Sequence, residues 1–587
     1  MKRSIQDRIQ SCRSRRLAST ASAAVPCLLA FGLYFRCFGY AFVYDDGIQI
    51  VKNPWLGSWH YLPRYFTGSV WGFVNGVGAS PYWRPLFLVW LRANFVLFGT
   101  APAGWHVTTV LVHVLNVALV YAVARYFRAG TFAAMAAAAI FAVHPIAIES
   151  VAWVSGVTDP LCASGLLAAL LLWLASRKRH EQTAALRLAS IACFIFALLT
   201  KETAVVFPAV VFTYAFLADD DSIGGGPTRV QAAVRAGAPY AIVLPFYALL
   251  RTLAVPTTST TRSVSWLTTV LSVPSLLGFY AGKLILPIGL SISYDVKAVT
   301  TFTIHGVLVP LIGVAAAIAA WQFLWKRAPF GWPIRFVAFS LVWMLVTLAP
   351  ALYIRALSPD DIAHTRYLYL PSIGFAWIAG VVLSAWRSNG RRLSRQLAPA
   401  ALAILVMLFS AMNWTQQQYW SDGITLFQRA VQIAPSSPMP YKGLGVEYSN
   451  SGLMPDAIQQ FEKAAAIDPD NEDTNRNLGA AYILNGRSDI GERYLKRATD
   501  LGSKEPEVFL FLAVAQLKQN KLEEAERSIR QAIQFFPEGT GYQFTLGEIL
   551  QLRGDRDGAV AAFRRELVNR PGNAESISRL RTLGVTP

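Results

Sequence analysis

Two adjacent carboxylates, Asp45 and Asp46, close a Phe42-Val43-Tyr44-Asp45-Asp46 segment that follows directly on the first long apolar run of the chain. A carboxylate can take the proton of an incoming hydroxyl, and partial desolvation beside a membrane raises its pKa toward that task. An Asp-Asp pair is also common in solvated turns, so its meaning depends on its company. That company lies in later breaks between apolar runs: Glu149 within His144-Pro145-Ile146-Ala147-Ile148-Glu149-Ser150, then Asp159, then Thr200-Lys201-Glu202, then Asp360-Asp361 ahead of His364-Thr365-Arg366-Tyr367. Lys201 is the sole cation of its turn and either pairs with an acid or meets a phosphate as a point charge. Arg366 enters an apolar run, where a guanidinium needs an anionic partner, either a ligand phosphate or a structural carboxylate.

Other chemistries find little support. His60, His106, His113, His144 and His364 are scattered without zinc-site spacing, so no metal is expected, and His113 is expected to pack between helices. No phosphate-cradling glycine loop or nucleophile elbow occurs in a strand-helix setting, so no nucleotide cofactor is expected. All five cysteines fall within the first 193 residues, which excludes a disulfide scaffold.

The elements that must position these residues follow from composition. Of 587 residues 54% are hydrophobic and 15% charged, against about 25% charged in an ordinary soluble domain. Disorder is excluded, and part of the chain belongs in lipid. Apolar segments of spanning or near-spanning length run at 21–43, 104–124, 131–146, 157–175, 186–200, 203–218, 237–254, 302–325, 336–353, 367–386 and 397–413, about eleven in all. The stretches 84–98 and 266–290 carry Arg84, Arg92, Pro274, Lys283 and Pro287 and are expected to lie in the interface or re-enter.

The net charge of +18 first suggests a nucleic-acid binder, but it divides as +20 before residue 414 and −2 after it. The basic clusters at Lys2–Arg16, Arg125 and Arg128, Arg177–Arg179, Arg229 and Arg235, Lys326–Arg335 and Arg387–Arg395 fall in alternate breaks, which makes them cytoplasmic and the chain N-in. No nucleic-acid partner is expected. The run at 21–43 reads as an anchor rather than a cleaved signal. Asp45, Asp46, Glu149, Asp159, Glu202, Asp295, Asp360 and Asp361 then all map to the outer face. Acids from separate loops that meet at one face look like a site.

From 438 the sequence repeats with a period of 34: Gly445, Gly479, Ala513 and Gly547 share one small-residue position, Ala457, Gly491, Ala525 and Ala559 a second, and Ala464, Ala498 and Ala532 a third that is lost at Glu566. Phe461, Leu495, Ile529 and Phe563 supply an apolar knob. This is the tetratricopeptide pattern of stacked antiparallel helix pairs. The organisation expected is a membrane domain at 1–413, a connecting and capping helix within 414–437, four repeats at 438–573 and a tail at 574–587. The fold class is all-α, a polytopic helical bundle followed by an α-solenoid, with the repeats held on the outer side.

The ordered set of Tyr44-Asp45-Asp46, Trp83-Arg84-Pro85-Leu86, His144-Pro145 with Glu149-Ser150-Val151, Thr200-Lys201-Glu202, Tyr280 and Lys283 before Pro287, Arg366-Tyr367-Leu368-Tyr369-Leu370-Pro371-Ser372 and C-terminal repeats resembles the transmembrane and tetratricopeptide-repeat-containing O-mannosyltransferases and their bacterial relatives, within the glycosyltransferase C superfamily. The resemblance implies an inverting transfer of sugar from a polyprenyl-phosphate carrier in the membrane lipid to a protein or glycan acceptor on the outer, periplasmic face of the cell membrane, with the repeats recruiting the acceptor. It implies Asp45 as base with Asp46 close behind, Lys201 and Arg366 facing the carrier phosphate, Arg84 and Lys283 as further cations, and His144, Glu149, Asp159 and Glu202 lining the substrate site. Val157 and Thr365 depart from the residues common in the family, which leaves the sugar open. The competing expectation is a non-enzymatic membrane-anchored repeat scaffold for envelope or secretion assembly.

Overall fold

The structure, a computed structural model, describes residues 21–74, 82–178, 182–217, 228–255, 264–327, 332–357, 361–388 and 392–586. The N-terminal basic cluster through Arg16, Arg179, Glu181, Asp219–Asp221, Asp360 and Arg391 lie outside the described residues. The chain forms two compact units, one of Met1–Trp71 with Ser80–Arg429, the other of Ala430–Pro587 with Gly72–Ala79. Among the described residues both are built of helices and turns, without a strand.

In the first unit, nine helices of the described residues are long and apolar enough to cross a membrane, and Thr131–Val143 with Pro145–Ala152, bent by 50°, reaches that length only as a pair. One of the nine, Trp266–Ile285, has both ends at the same end of the bundle. Its Trp266 ring lies 5.7 Å from Tyr353, just past the helix Ile334–Leu352, and its Leu284 carbonyl accepts from His144 at 3.0 Å. The helix therefore runs along that end, as the interruptions by Pro274 and Lys283 led the sequence to expect. Glu202–Leu217 is a shorter apolar helix and Val309–Arg327 a helix of 19 residues, over two further segments that the sequence reads as spans.

Between helices in lipid there is little hydrophobic driving force, so close approach through small residues carries the packing. The helix Tyr369–Arg387 lies against the alanine-rich Thr131–Val143 so tightly that a Cβ on Gly380 would meet the Ala133 carbonyl at 2.4 Å and the Ala137 nitrogen at 3.0 Å. Buried polar groups on Pro102–Tyr126 stitch it to Tyr369–Arg387 and to Thr158–Ser176. Asn116 donates to the Pro160 carbonyl at 2.8 Å and to the Tyr369 hydroxyl at 3.1 Å, and His113 Nδ1 bonds that hydroxyl at 2.8 Å. His113 thus sits in a helix interface.

The second unit repeats one helix pair: Pro438–Asn450 with Met454–Ile467, Glu472–Leu484 with Ser488–Asp500, Pro506–Lys518 with Leu522–Phe535, and Tyr542–Leu552 with Arg556–Asn569. A Cβ on Gly445 would strike the Phe461 ring at 2.6 Å, and one on Gly547 the Phe563 ring at the same distance. The 34-residue spacing is thus the spacing at which helix pairs close on an apolar knob, a phenylalanine in the first and last repeats. Glu566, where the third small position is lost, is fully buried and accepts the Gly541 N–H at 3.0 Å and the Phe544 N–H at 3.3 Å. It satisfies N–H groups left open at the start of Tyr542–Leu552. Beyond the repeats, where the sequence suggested only a tail, Ala574–Thr582 forms one more helix with Leu580 buried.

Candidate active site

The first loop is fixed by Asp46. Its fully buried carboxylate accepts the Val43 N–H at 3.2 Å, the Ser155 N–H at 2.9 Å and the Ser155 hydroxyl at 2.6 Å. These bonds tie the segment after the first span to the second loop. Asp45, one residue earlier, is only partly buried, and among the described residues no donor reaches its carboxylate. Tyr44 before it holds φ +55°, a left-handed conformation uncommon for a non-glycine residue.

The second loop exists because Pro145 cannot continue the helix before it. His144 bridges the break, its Nδ1 accepting the Ile146 N–H at 3.2 Å and its Nε2 donating to the Leu284 carbonyl at 3.0 Å. Both ring nitrogens are occupied by backbone, away from the acids. The short helix Ile148–Ala152 carries Glu149, and the turn after it folds back so closely that a Cβ on Gly156 would meet the Glu149 carbonyl at 2.6 Å. Glu149 is buried and accepts from the Arg366 guanidinium at 2.8 Å, the Arg366 N–H at 2.8 Å and the Thr365 hydroxyl at 2.7 Å. Arg366 also lies over the rings of Trp153 and Tyr367, 5.6 and 5.3 Å from their centroids.

Two further ion pairs complete the set. Lys201 donates to Asp159 at 2.6 Å, both side chains 4% exposed. Arg84 donates Nε and Nη2 to the two oxygens of Glu202, the first at 2.9 Å. The pairs belong to one polar basin: Arg366 is within electrostatic range of both Asp45 and Asp159, and Arg84 of Asp159. Each cation keeps donors that no described residue engages, since Arg366 uses one side-chain nitrogen, Arg84 two, and Lys201 one bond. Lys283 stands apart, donating to the Ile288 and Gly289 carbonyls at 2.8 and 3.0 Å.

Burial pushes the Asp45 carboxyl up to about 7, with Asp46 adding to the rise and the Arg366 charge opposing it. Burial also raises Asp46, but the Ser155 and Val43 bonds hold it to about 6. The basin thus offers one unbonded carboxylate tuned near neutrality beside three cations with free donors. Among the described residues no group of three or more His, Cys, Asp or Glu side chains is arranged to hold a metal ion. Ser155 and Trp153 were given no role in the sequence, and Tyr44 and Tyr367 stood only as neighbours of Asp45 and Arg366 in their motifs. Their aromatic and hydroxyl character is ordinary there, and only their contacts across the chain mark them.

Fold and basin together define a polytopic helical membrane protein that carries a tetratricopeptide array and a charged site at one end of its bundle. The tetratricopeptide repeat family model matches residues 476–540 and 512–574. The chain is 24% identical over 440 residues to the protein O-mannosyl-transferase F38B6.6 of Caenorhabditis elegans, covering 72% of this chain and 59% of that protein. It is 24% identical over 475 residues to protein O-mannosyl-transferase TMTC1 of Homo sapiens, covering 72% and 52%. Over 185 residues it is 38% identical to protein O-mannosyl-transferase Tmtc2 of Drosophila melanogaster, covering 30% and 20%. It is thus a homologue of the protein O-mannosyl-transferases over 72% of its length, and it spans between a fifth and three fifths of these relatives.

Proposed function

We propose that this chain is an integral-membrane glycosyltransferase that moves a sugar from a polyprenyl-phosphate carrier to a hydroxyl of a protein acceptor on the outer face of the cell membrane, with the repeats recruiting the acceptor. In the reaction the acceptor hydroxyl gives its proton to Asp45, its oxygen attacks the anomeric carbon from the side opposite the phosphate, and the bond from that carbon to the phosphate oxygen breaks. The carrier leaves as polyprenyl phosphate with one more negative charge. The free donors of Arg366, Lys201 and Arg84 stabilise that charge, and they act most strongly where water is scarce. Glu149, Asp159 and Glu202 keep the three cations in place and line the sugar pocket. The scheme uses no metal and no nucleotide.

The observation that carries this reading is the contrast at Asp45, a carboxylate without a hydrogen bond, raised to about 7, beside an Asp46 locked by three donors. The names of the homologues support the reaction class. The test is transfer by Asp45→Asn and Asp46→Asn proteins recovered folded from membranes. Asp45→Asn is expected to lose on the order of a hundredfold or more, as removal of a general base does. Wild-type transfer by both variants would exclude the two aspartates as base, and absence of transfer by the wild-type protein would leave the scaffold role.

A further inference from the structure

The last membrane helix does not simply give way to the repeats. After Arg392–Gln417 the chain makes the turn Gln418–Trp420 and enters the helix Gly423–Ile433, whose start Asp422 caps by accepting the Thr425 N–H and hydroxyl, each at 2.8 Å. The first unit runs to Arg429 and so includes this turn and most of this helix, beyond the 413 that the apolar pattern indicates. Three contacts join the segment to the aspartate loop. The Ser421 carbonyl accepts the Ala41 N–H at 3.0 Å. The Trp420 ring, 5% exposed, stacks on Trp153 at 6.4 Å and 24°. The Phe427 ring, 3% exposed, meets Tyr44 edge-on at 5.9 Å.

The Tyr44 ring therefore packs on both Phe427 and Trp153, the latter 5.5 Å away. A non-glycine residue with positive φ persists only where its surroundings over-determine it. Here the clamp on the Tyr44 ring supplies that determination, one residue before the unbonded Asp45. Trp153 meanwhile carries the Arg366 guanidinium over its face, so the same aromatic set touches both the carboxylate loop and the cation.

We infer that the segment Trp420–Phe427 is a positioning element of the active site, clamping Ala41 and Tyr44 so that the Asp45 carboxylate is held toward the acceptor hydroxyl. The inference rests on the reading of Asp45 as the base. Phe427 and Trp420 touch no reacting atom. They act through Tyr44 and Trp153, and a misplacement of about 1 Å in such a constellation can cost about a hundredfold in rate.

The test uses the full-length protein in membranes, with radiolabelled mannose on polyprenyl phosphate as probe donor and the envelope protein fraction of cells lacking the gene as acceptor. Phe427→Ala is expected to lower kcat ten- to a hundredfold with donor KM within about twofold, and Phe427→Tyr to restore it. The acid limb of the rate should also move to lower pH, because a loosened loop admits water to Asp45. The groups that face Asp45 there are Asp46, Tyr44 and Arg366, all unchanged in the variant. Hydrogen exchange gives a readout independent of turnover: amides of residues 41–46 should exchange at least tenfold faster in Phe427→Ala, with the Thr131–Val143 helix unaffected. Unchanged exchange in residues 41–46 overturns the clamp, whatever the rates. Faster exchange with the wild-type rate and pH limb overturns its role in positioning the base. Wild-type transfer by Asp45→Asn instead sinks the reading of Asp45 as base, while exchange still judges the clamp.

Discussion

Asp46 is held by three donors and Asp45 by none, although the two carboxylates are adjacent in the chain. This division of labour predicts a pH dependence of opposite sign for activity and for stability. A base must be ionised, so kcat/KM should rise as pH passes from about 6 to about 7, through the coupled pair. For stability, a carboxyl raised above its unfolded value near 3.9 favours the folded state below that value, and the contribution is lost as pH rises through the folded pKa of about 7. Asp45→Asn removes the penalty. At pH 8 it should stabilise the solubilised protein by on the order of 2 kcal/mol, after allowance for the loop's partial exposure, and at pH 4 by little. Thermal unfolding at the two values checks this, and equal stability of variant and wild type at pH 8 would contradict the burial of the Asp45 charge. The sequence displayed the pair but not the division, because the partner that locks Asp46 is Ser155, 109 residues away. It likewise offered a phosphate or a carboxylate as partner for Arg366, and Glu149 is the one seen. Thr365, noted as a departure from the family, is the hydroxyl that donates to that same Glu149.

Helices were legible in proportion to their periodicity. The repeats could be registered from the 34-residue spacing alone, because each sets a small residue against an apolar knob, and a Cβ at Gly445 or Gly547 cannot share space with the aromatic one. The one irregularity, Glu566, needed the structure, since its role depends on the open N–H groups of Gly541 and Phe544 on a neighbouring helix. The helix Gly423–Ile433 falls where the sequence expects a capping helix within 414–437, but the aromatic contacts of Trp420 and Phe427 with the first and second loops leave no periodic trace. In the membrane unit, small residues act where apolar count says nothing. A Cβ on Gly380 would meet backbone atoms of Thr131–Val143 at 2.4 and 3.0 Å, which cannot rotate away. Gly380→Val should therefore push the two helices apart and cost about 1–3 kcal/mol or more. Gly282, whose added Cβ would meet nothing within 4 Å, is the matched control: Gly282→Ala should be neutral or stabilise by up to about 1 kcal/mol. Melting of the two solubilised variants distinguishes them, and similar values for both would mean that the approach of Tyr369–Arg387 to the alanine-rich helix is looser than 2.4 Å implies.

Across the whole molecule, the +18 is informative only after it is divided, with +20 on the membrane half and −2 on the remainder. Cations placed in alternate breaks orient a bundle, and the odd number of spans that the apolar pattern suggests, about eleven, would put the two ends of the bundle on opposite sides of the membrane. The helix Trp266–Ile285 decides that parity. Counted as a pass it would return the repeats to the side of the basic clusters. Lying along the end, with Trp266 near Tyr353 and Leu284 at His144, it is no crossing in the parity that the proposed outer-face placement of the repeats requires. The arrangement can be read with thiols, because all native cysteines lie in the first 193 residues and can be replaced by serine. In that background, Lys504→Cys on the exposed surface of the repeat unit should react with a membrane-impermeant maleimide added to intact spheroplasts. Arg395→Cys, at the basic end of the last membrane helix, should react only after the membrane is opened. The reverse pattern would place the repeats in the cytoplasm. It would separate them from any acceptor on the outer face and leave Trp266–Ile285 as a true crossing.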